Sequence, residues 1–95
     1  MLTLENITEA IIALVDKYAL KSVDLFGSYA DGTATDESDI DLLVEFNTPY
    51  VSLFRISEMK IEISEKLDKE IDIIHSPIPS NSLLDIKKVI KIYEQ

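Results

Sequence analysis

The chain has 95 residues, which is enough for one hydrophobic core, so we expect a single domain over residues 1–95. With 46% hydrophobic and 28% charged residues, its composition is typical of globular proteins and excludes the disordered and fibrous classes. The lack of cysteine excludes disulfides and thiolate metal sites, and the formal net charge of -9 argues against binding to nucleic acid or to an anionic membrane surface.

The amino-terminal sequence shows no export signal. The stretch MLTLENITEA lacks a basic region followed by an apolar run, and no apolar stretch approaches the roughly 20 residues that span a bilayer. We therefore expect a cytoplasmic protein with no membrane partner. A basic protein or a metal cation suits its acidic surface better than a nucleic acid does.

Helical and extended patterns alternate along the first half of the chain. Apolar residues spaced as in an amphipathic helix predict a first helix of about 15 residues that ends before Lys21. Residues 23–26 predict a short strand. Residues 39–46 predict a second strand whose alternate apolar side chains face the core, namely Ile40, Leu42, Val44 and Phe46.

The second half of the chain predicts two helices and a third strand. The long helix that follows Pro49 carries a stripe of apolar residues at Leu53, Ile56, Ile63 and Leu67. Residues 70–75 predict the third strand, and residues 76–79 predict a turn. The spacing of apolar residues then predicts a closing helix through Leu83, Ile86, Ile90 and Tyr93, with a solvated basic face at Lys87, Lys88 and Lys91.

The order of these elements favours an α/β domain with a small mixed sheet and flanking helices. A long helix between the second and third strands is what a parallel crossover needs, whereas the short link between the first two strands suits an antiparallel pair. Parallel neighbours begin at the same edge of a sheet. Asp72 is therefore expected close to Asp39 and Asp41.

Asp39 and Asp41 are alternate residues of one predicted strand, so their side chains point the same way, about 6.5 to 7 Å apart. With Asp72 they bring like charges together, which favours either a raised pKa or a bound cation. Carboxylate oxygens are ligands that Mg²⁺ and Mn²⁺ prefer, and substrate phosphates complete such sites. Asp-x-Asp alone is weak evidence, because acidic residues are common at strand ends.

Gly27 and Ser28 directly follow the first predicted strand, and ten residues separate Ser28 from Asp39. Glycine allows close backbone approach, and a serine that opens a helical turn can present its hydroxyl and nearby amides to an anion. Gly-Ser alone is a common turn signal. Its combination with Asp-x-Asp on one strand and an Asp on a later strand is much more specific, and it predicts a site for a triphosphate tail.

The segment LFGSYADGTATDESDIDLLVEF, residues 25–46, resembles the signature of the DNA polymerase β-like nucleotidyltransferase superfamily, and the small size points to its minimal nucleotidyltransferases (MNT). The resemblance implies a nucleotidyltransferase core like the polymerase β palm. It also implies that Asp39, Asp41 and Asp72 are the catalytic ligands of Mg²⁺ or Mn²⁺. Gly27 and Ser28 would then hold the phosphates of ATP, the implied substrate.

The resemblance also implies a partner. Small MNT proteins commonly pair with HEPN-domain ribonuclease toxins, and some of these antitoxins transfer AMP from ATP to a toxin tyrosine. We therefore expect an antitoxin that AMPylates a HEPN partner and forms a hetero-oligomer with it. Many relatives have a basic residue where this chain has Tyr29 or Asp31, and this departure argues against tight nucleotide binding without the partner.

Alternative functions remain open on the sequence alone. A non-catalytic module that neutralises a toxin by covering it is favoured by the missing basic residue, whereas an enzyme is favoured by the intact carboxylates. A small acceptor such as an antibiotic is a weaker third, because no part of the chain is left to form an acceptor-binding domain. A P-loop and an EF-hand are excluded by their missing glycine patterns. His75 ends the third strand near the proposed site, and we expect it to be a packing or surface residue.

Overall fold

The computed structural model describes residues 2–48, 50–75 and 89–95, which form a four-stranded sheet with helices packed on it. The helices are α1 (Leu4–Ile12), α2 (Val15–Tyr18), α3 (Ser28–Asp31) and α4 (Leu53–Leu67), and the strands are β1 (Leu20–Phe26), β2 (Ile40–Phe46), β3 (Ile71–His75) and β4 (Ile90–Glu94). This arrangement confirms the predicted α/β class. Among the described residues, every helix is too short or too polar to cross a bilayer.

The sheet is mixed, as predicted, with the strands in the order β3-β2-β1-β4. β1 pairs antiparallel with β2 and with β4, while β2 pairs parallel with β3. The parallel connection runs through α4. β2 and β3 therefore begin at the same edge of the sheet, and Asp41 is the register partner of Asp72.

One face of the sheet forms the hydrophobic core. Ile40, Leu42 and Val44 are each 0% exposed, as their alternation predicted. Ile11 of α1 and Met59 of α4 belong to the same buried cluster. A fully buried side chain of this size contributes about 1.5 to 3 kcal/mol relative to an exposed one. This burial fixes the register of β2, so its acidic residues lie on the other face of the sheet.

The amino-terminal helical region is more broken than predicted. α1 begins with a capping box, in which Thr3 Oγ1 accepts a hydrogen bond from Asn6 N–H and Asn6 Oδ1 accepts one from Thr3 N–H, each at 3.1 Å. α2 adds one further turn and stops at Ala19, whose φ of 52° is left-handed. This residue redirects the chain into β1, which starts at Leu20. The prediction of one continuous helix up to Lys21 is therefore wrong.

The closing element is a strand where the sequence analysis predicted a helix. Ile90–Glu94 forms β4 along the edge of β1, where Lys91 is the register partner of Asp24. Lys91 Nζ lies 3.0 Å from Asp24 Oδ1, so this lysine forms an ion pair and is not on a solvated helix face. A strand is favoured because the edge of β1 has backbone groups that need partners, and the alternating sequence IKIYE suits a strand. The other residues of the predicted helix lie outside the described residues, including Leu83, Ile86, Lys87 and Lys88.

Candidate functional site

Asp41 and Asp72 lie side by side where β2 and β3 begin. They are register partners in the parallel pair, and the preceding residues, Ile40 and Ile71, are 0% and 1% exposed on the core face. Because side chains alternate along a strand, both carboxylates point to the opposite face of the sheet. The structure thus brings together two carboxylates that the sequence analysis predicted from separate strands.

The Asp41 carboxylate is partly buried and lies among other acids. Its pKa is raised first by desolvation, then by the charges of Asp72 and Asp39, and also by a hydrogen bond with Asp72. Two carboxyl groups can share a hydrogen bond only when one of them carries a proton. The site therefore favours a proton or a metal cation at Asp41.

Asp39 lies on the exposed loop that leads into β2 and not in the strand itself. Its charge acts on Asp41. Over residues 2–48, 50–75 and 89–95, however, no three His, Cys, Asp or Glu side chains are grouped so that they could hold one metal ion. The acidic cluster is thus a close pair, Asp41 and Asp72, with Asp39 nearby. Mg²⁺ is often bound by one or two carboxylates and completed by phosphates and water, so the donor set fits such an ion.

Gly27 packs against the Asp41 carboxylate. A Cβ at position 27 would lie 3.2 Å from Asp41 Cγ and would overlap Asp41 Oδ2. The backbone of Gly27, with φ 76° and ψ -155°, is also one that other residues rarely adopt. Glycine is therefore required here both for the turn after β1 and for the position of the carboxylate.

The short helix α3 opens at Ser28, as predicted for the Gly-Ser turn. The N–H groups of Ala30 and Asp31 both donate to the Gly27 carbonyl, at 3.0 and 3.1 Å, so the chain turns immediately after β1. The amides of Ser28 and Tyr29 precede these bonded amides, and such positions have no acceptor inside a helix. The turn thus begins with the kind of polar groups that phosphate binding requires.

The loop before β2 is held by contacts that the sequence analysis did not predict. Asp31 Oδ1 accepts hydrogen bonds from Thr33 N–H at 3.0 Å and from Thr33 Oγ1 at 2.6 Å, so the acid that departs from the family pattern shapes this loop. Lys69 Nζ donates to the Asp36 carbonyl. Because Lys69 follows α4, this bond ties the loop that carries Asp39 to a distant part of the chain. No local spacing or motif marks a contact of this kind.

His75 lies away from the acidic pair. It is the register partner of Val44, three positions along β3 from Asp72, and its ring packs edge-on against Phe46 with centroids 5.3 Å apart. At about 3.3 Å per residue, its Cα lies roughly 10 Å from that of Asp72. The expectation that His75 is near the proposed site is therefore wrong, whereas its expected packing role is confirmed.

Comparison with known proteins identifies the family of the chain. Residues 7–95 match the family model of the nucleotidyltransferase domain. A Methanocaldococcus jannaschii protein provisionally named a protein adenylyltransferase is 46% identical over 77 residues, which cover 74% of this chain and 76% of that protein. The protein adenylyltransferase MntA of Thermococcus cleftensis is 32% identical over 78 residues, covering 78% of each protein.

A solved structure shares the fold. A chain from the complex of a tri-AMPylated Shewanella oneidensis HEPN toxin with an MNT antitoxin matches with a TM-score of 0.72 and 21% identity, covering 98% of this chain and 74% of that chain. At this identity the match shows the fold alone, and the family is shown by the matches in sequence. The sequence resemblance is confirmed: the chain belongs to the nucleotidyltransferase domain family.

Proposed function

We propose that this chain is a single-domain protein adenylyltransferase that transfers AMP from ATP to a tyrosine of a HEPN-type toxin. It thereby acts as the antitoxin of that toxin in the cytoplasm. The observation that carries this proposal is the Asp41–Asp72 pair at the start of two parallel strands, directly beside Gly27. The names of the relatives support the group transferred, and the solved complex with an AMPylated HEPN toxin supports the class of partner.

The acidic pair supports a divalent metal. Asp41 and Asp72, with Asp39 beside them, would hold Mg²⁺ or Mn²⁺, because a cation relieves the repulsion that raises the pKa of Asp41. When bound, such a metal stabilises negative charge on the phosphates of the nucleotide. The incomplete grouping of the three carboxylates agrees with a site that the nucleotide phosphates complete.

The Gly-Ser turn supports a phosphate-binding role. Gly27 lies against Asp41, so phosphates held by the amides and hydroxyl at Ser28 would be next to the carboxylates. Backbone amides at the start of a helical turn donate hydrogen bonds to anions without adding a titratable group. The chain can therefore bind phosphate at this turn although Asp31 stands where many relatives have a basic residue.

The transfer requires an activated hydroxyl group. The tyrosyl oxygen attacks the α-phosphorus of ATP, the new O–P bond replaces the bond to pyrophosphate, and the hydroxyl proton passes to a carboxylate. We assign Asp72 as the acceptor of this proton, because it is exposed at the sheet edge whereas Asp41 is partly buried. The tyrosine belongs to a second protein, so the functional unit is a hetero-oligomer of this chain with its toxin.

A binding-only antitoxin is the second candidate. One observation favours it: Asp31 adds negative charge next to the Gly-Ser turn, where many relatives have a basic residue. In that case the acidic sheet edge would serve as a contact surface for a basic toxin. Complementary charge alone can speed and orient such an encounter.

The two candidates are separated by one experiment. The chain is incubated with the HEPN-type toxin encoded beside it, ATP and Mg²⁺; toxin tyrosines are then analysed by mass spectrometry, and RNA cleavage is assayed. We expect tyrosine-linked AMP with the wild type and with the control Glu45→Gln, which alters an acid further along the same face of β2. The double variant Asp39→Ala, Asp41→Ala should give none. Full neutralisation of the toxin by this double variant, without modification, would establish the binding-only function.

A further inference from the structure

A tight turn directly precedes Asp39 in the loop that leads into β2. Residues 35–38 form a β-turn, in which the Ser38 N–H donates to the Thr35 carbonyl at 3.0 Å. The turn is closed a second time, because the Ser38 hydroxyl oxygen accepts a hydrogen bond from the Thr35 N–H at 2.8 Å. The backbone bond is common to β-turns, whereas the second bond requires a hydroxyl-bearing side chain at position 38.

Other contacts restrict the same turn. The carbonyl of Asp36, one of its two central residues, accepts a hydrogen bond from Lys69 Nζ, which comes from beyond α4. Ser38 is half-buried, whereas Glu37 and Asp39 on either side of it are exposed, so the Ser38 side chain is turned back into the loop. These contacts hold the backbone of the turn, and the chain leaves it in a defined direction toward β2.

The backbone of Asp39 is restrained on both sides. Asp39 follows Ser38 directly, at the end of the closed turn. The next residue, Ile40, is 0% exposed and donates its N–H to the Glu70 carbonyl at 3.0 Å. Asp39 therefore has little backbone freedom, although its side chain is exposed to solvent. What remains variable is the rotation of this side chain about its own bonds.

This restraint bears on metal binding. Within the part of the chain that the structure describes, Asp39 does not join Asp41 and Asp72 in one group around a single ion. Its charge nevertheless reaches the pair, because it raises the pKa of Asp41. Asp39 can join a bound cation by turning its side chain, and a restrained backbone lowers the conformational entropy that this step costs. A loose loop would weaken binding of the cation by the same carboxylates.

We propose that Ser38 is a positioning residue, whose hydroxyl closes the turn and thereby holds Asp39 where its carboxylate can reach the divalent metal. The Ser38 hydroxyl acts through Asp39 and is not itself a metal ligand, because it accepts from the Thr35 N–H and lies 3.4 Å from Thr35 Oγ1 inside the loop. This inference rests on the proposed function for the metal. A serine that only stabilises the loop would have the same effect whether or not Asp39 carries a carboxylate.

The test is a double-mutant cycle on the full chain, in which binding of Mn²⁺ alone is measured by water-proton relaxation. Ser38→Ala should weaken Mn²⁺ binding by about three- to tenfold, which is the loss expected for one hydrogen bond. Asp39→Ala should weaken it at least as much. Ser38→Ala made in the Asp39→Ala protein should add less than about twofold, because no carboxylate is then left at position 39 to be positioned.

Two matched variants separate the hydroxyl of Ser38 from other effects on the loop. Ser38→Thr keeps a hydroxyl at the same position and should bind Mn²⁺ within about twofold of the wild type. Thr33→Ala removes a hydroxyl of the same loop that donates to Asp31 Oδ1 at 2.6 Å, and it should also stay within about twofold. In the metal-free proteins, the Thr35 amide should exchange its hydrogen faster in Ser38→Ala than in either control. Thermal unfolding should confirm that every variant is folded.

Three outcomes would overturn the proposal. If Ser38→Ala binds Mn²⁺ as tightly as the wild type, the turn does not position Asp39, and the proposed function is unaffected. If Ser38→Ala weakens Mn²⁺ binding equally with and without the Asp39 carboxylate, Ser38 stabilises the loop and does not act through Asp39. If the folded wild type binds no Mn²⁺, the metal site of the proposed function fails, and this role of Ser38 fails with it.

Discussion

The Asp41 carboxylate occupies the space into which any side chain at position 27 would project. Gly27 thus controls the position of the acid that lies at the centre of the candidate site. The same glycine ends β1 and opens α3. The turn proposed to bind phosphate and the strand that carries Asp41 are therefore coupled through one residue, and a change in the turn or in the strand disturbs the other.

Gly27→Ala should lower the free energy of unfolding and abolish ATP binding. The strained backbone costs about 1 to 3 kcal/mol, and the added methyl group displaces the Asp41 carboxylate. Gly32→Ala is the matched control: its φ of 86° is also positive, but a Cβ there meets nothing within 4 Å. Denaturant unfolding and ATP titration of both variants check this. If Gly27→Ala and Gly32→Ala lose ATP binding to the same degree, backbone strain explains the loss and displacement of the Asp41 carboxylate does not.

The arrangement of the first three strands and the acidic pair could be predicted, because alternation within a strand and the length of the connection between strands can both be read from the sequence. The alternation of Ile40, Leu42 and Val44 fixed the inner face of β2, and a parallel crossover then had to place Asp72 beside Asp41. The contact of Gly27 with Asp41 could not be predicted, since it depends on the antiparallel register of β1 with β2. The sequence analysis assigned that glycine to phosphate approach alone.

The carboxy-terminal strand β4 could not be predicted, because its sequence fits two periods. Ile90 and Tyr93 fit a helical spacing with earlier apolar residues, while the sequence IKIYE also alternates as a strand does. The local pattern alone does not distinguish a helix from a strand here. The strand is stabilised by a non-local contact, because its backbone hydrogen-bonds to the edge of β1.

The raised pKa of Asp41 predicts a specific dependence of stability on pH in the metal-free protein. The folded state binds the Asp41 proton more tightly than the unfolded state, so this stabilisation is complete below the ordinary aspartate pKa of about 3.9 and is lost as the pH rises through the raised value. Asp41→Asn should therefore gain stability relative to the wild type between acidic and neutral pH. Thermal unfolding in EDTA from pH 3.5 to 8 measures the difference. If the difference in unfolding temperature between Asp41→Asn and the wild type is the same at every pH, the pKa of Asp41 is not raised.

Divalent metal should reverse the order of these two proteins. Mg²⁺ with ATP offsets the repulsion between Asp41 and Asp72, so it should raise the unfolding temperature of the wild type and leave that of Asp41→Asn nearly unchanged. Asp39→Ala should show an intermediate response, since its carboxylate lies on the exposed loop. Titration of ATP with and without metal checks the same point. If the wild type binds ATP equally well with and without metal, the metal site is excluded. If Asp41→Asn and Asp39→Ala are both unfolded, these acids are needed for the fold and not for metal binding.

Ser28→Ala should weaken ATP binding less than Gly27→Ala does. The variant loses one hydrogen bond to a charged phosphate, which corresponds to about 1.5 to 3 kcal/mol, but it keeps the backbone amides of α3. Its fold should be unchanged, because alanine is compatible with the first position of a helix. Calorimetric titration of both variants gives the ranking. A larger loss with Ser28→Ala would mean that the hydroxyl, and not the shape of the turn, holds the phosphate.

Lys69→Met should weaken ATP binding severalfold with little effect on global stability. Lys69 Nζ donates to the carbonyl of Asp36, and this bond restrains the loop that carries Asp39. Loss of one exposed hydrogen bond costs about 1 kcal/mol at most, so the effect is expected on the loop and not on the core. Lys66→Met is the matched control, because it removes the same charge from the exposed last turn of α4. Amide hydrogen exchange should show faster exchange in residues 33–39 for Lys69→Met only. If both variants bind ATP equally well and exchange alike, Lys69 does not position the loop.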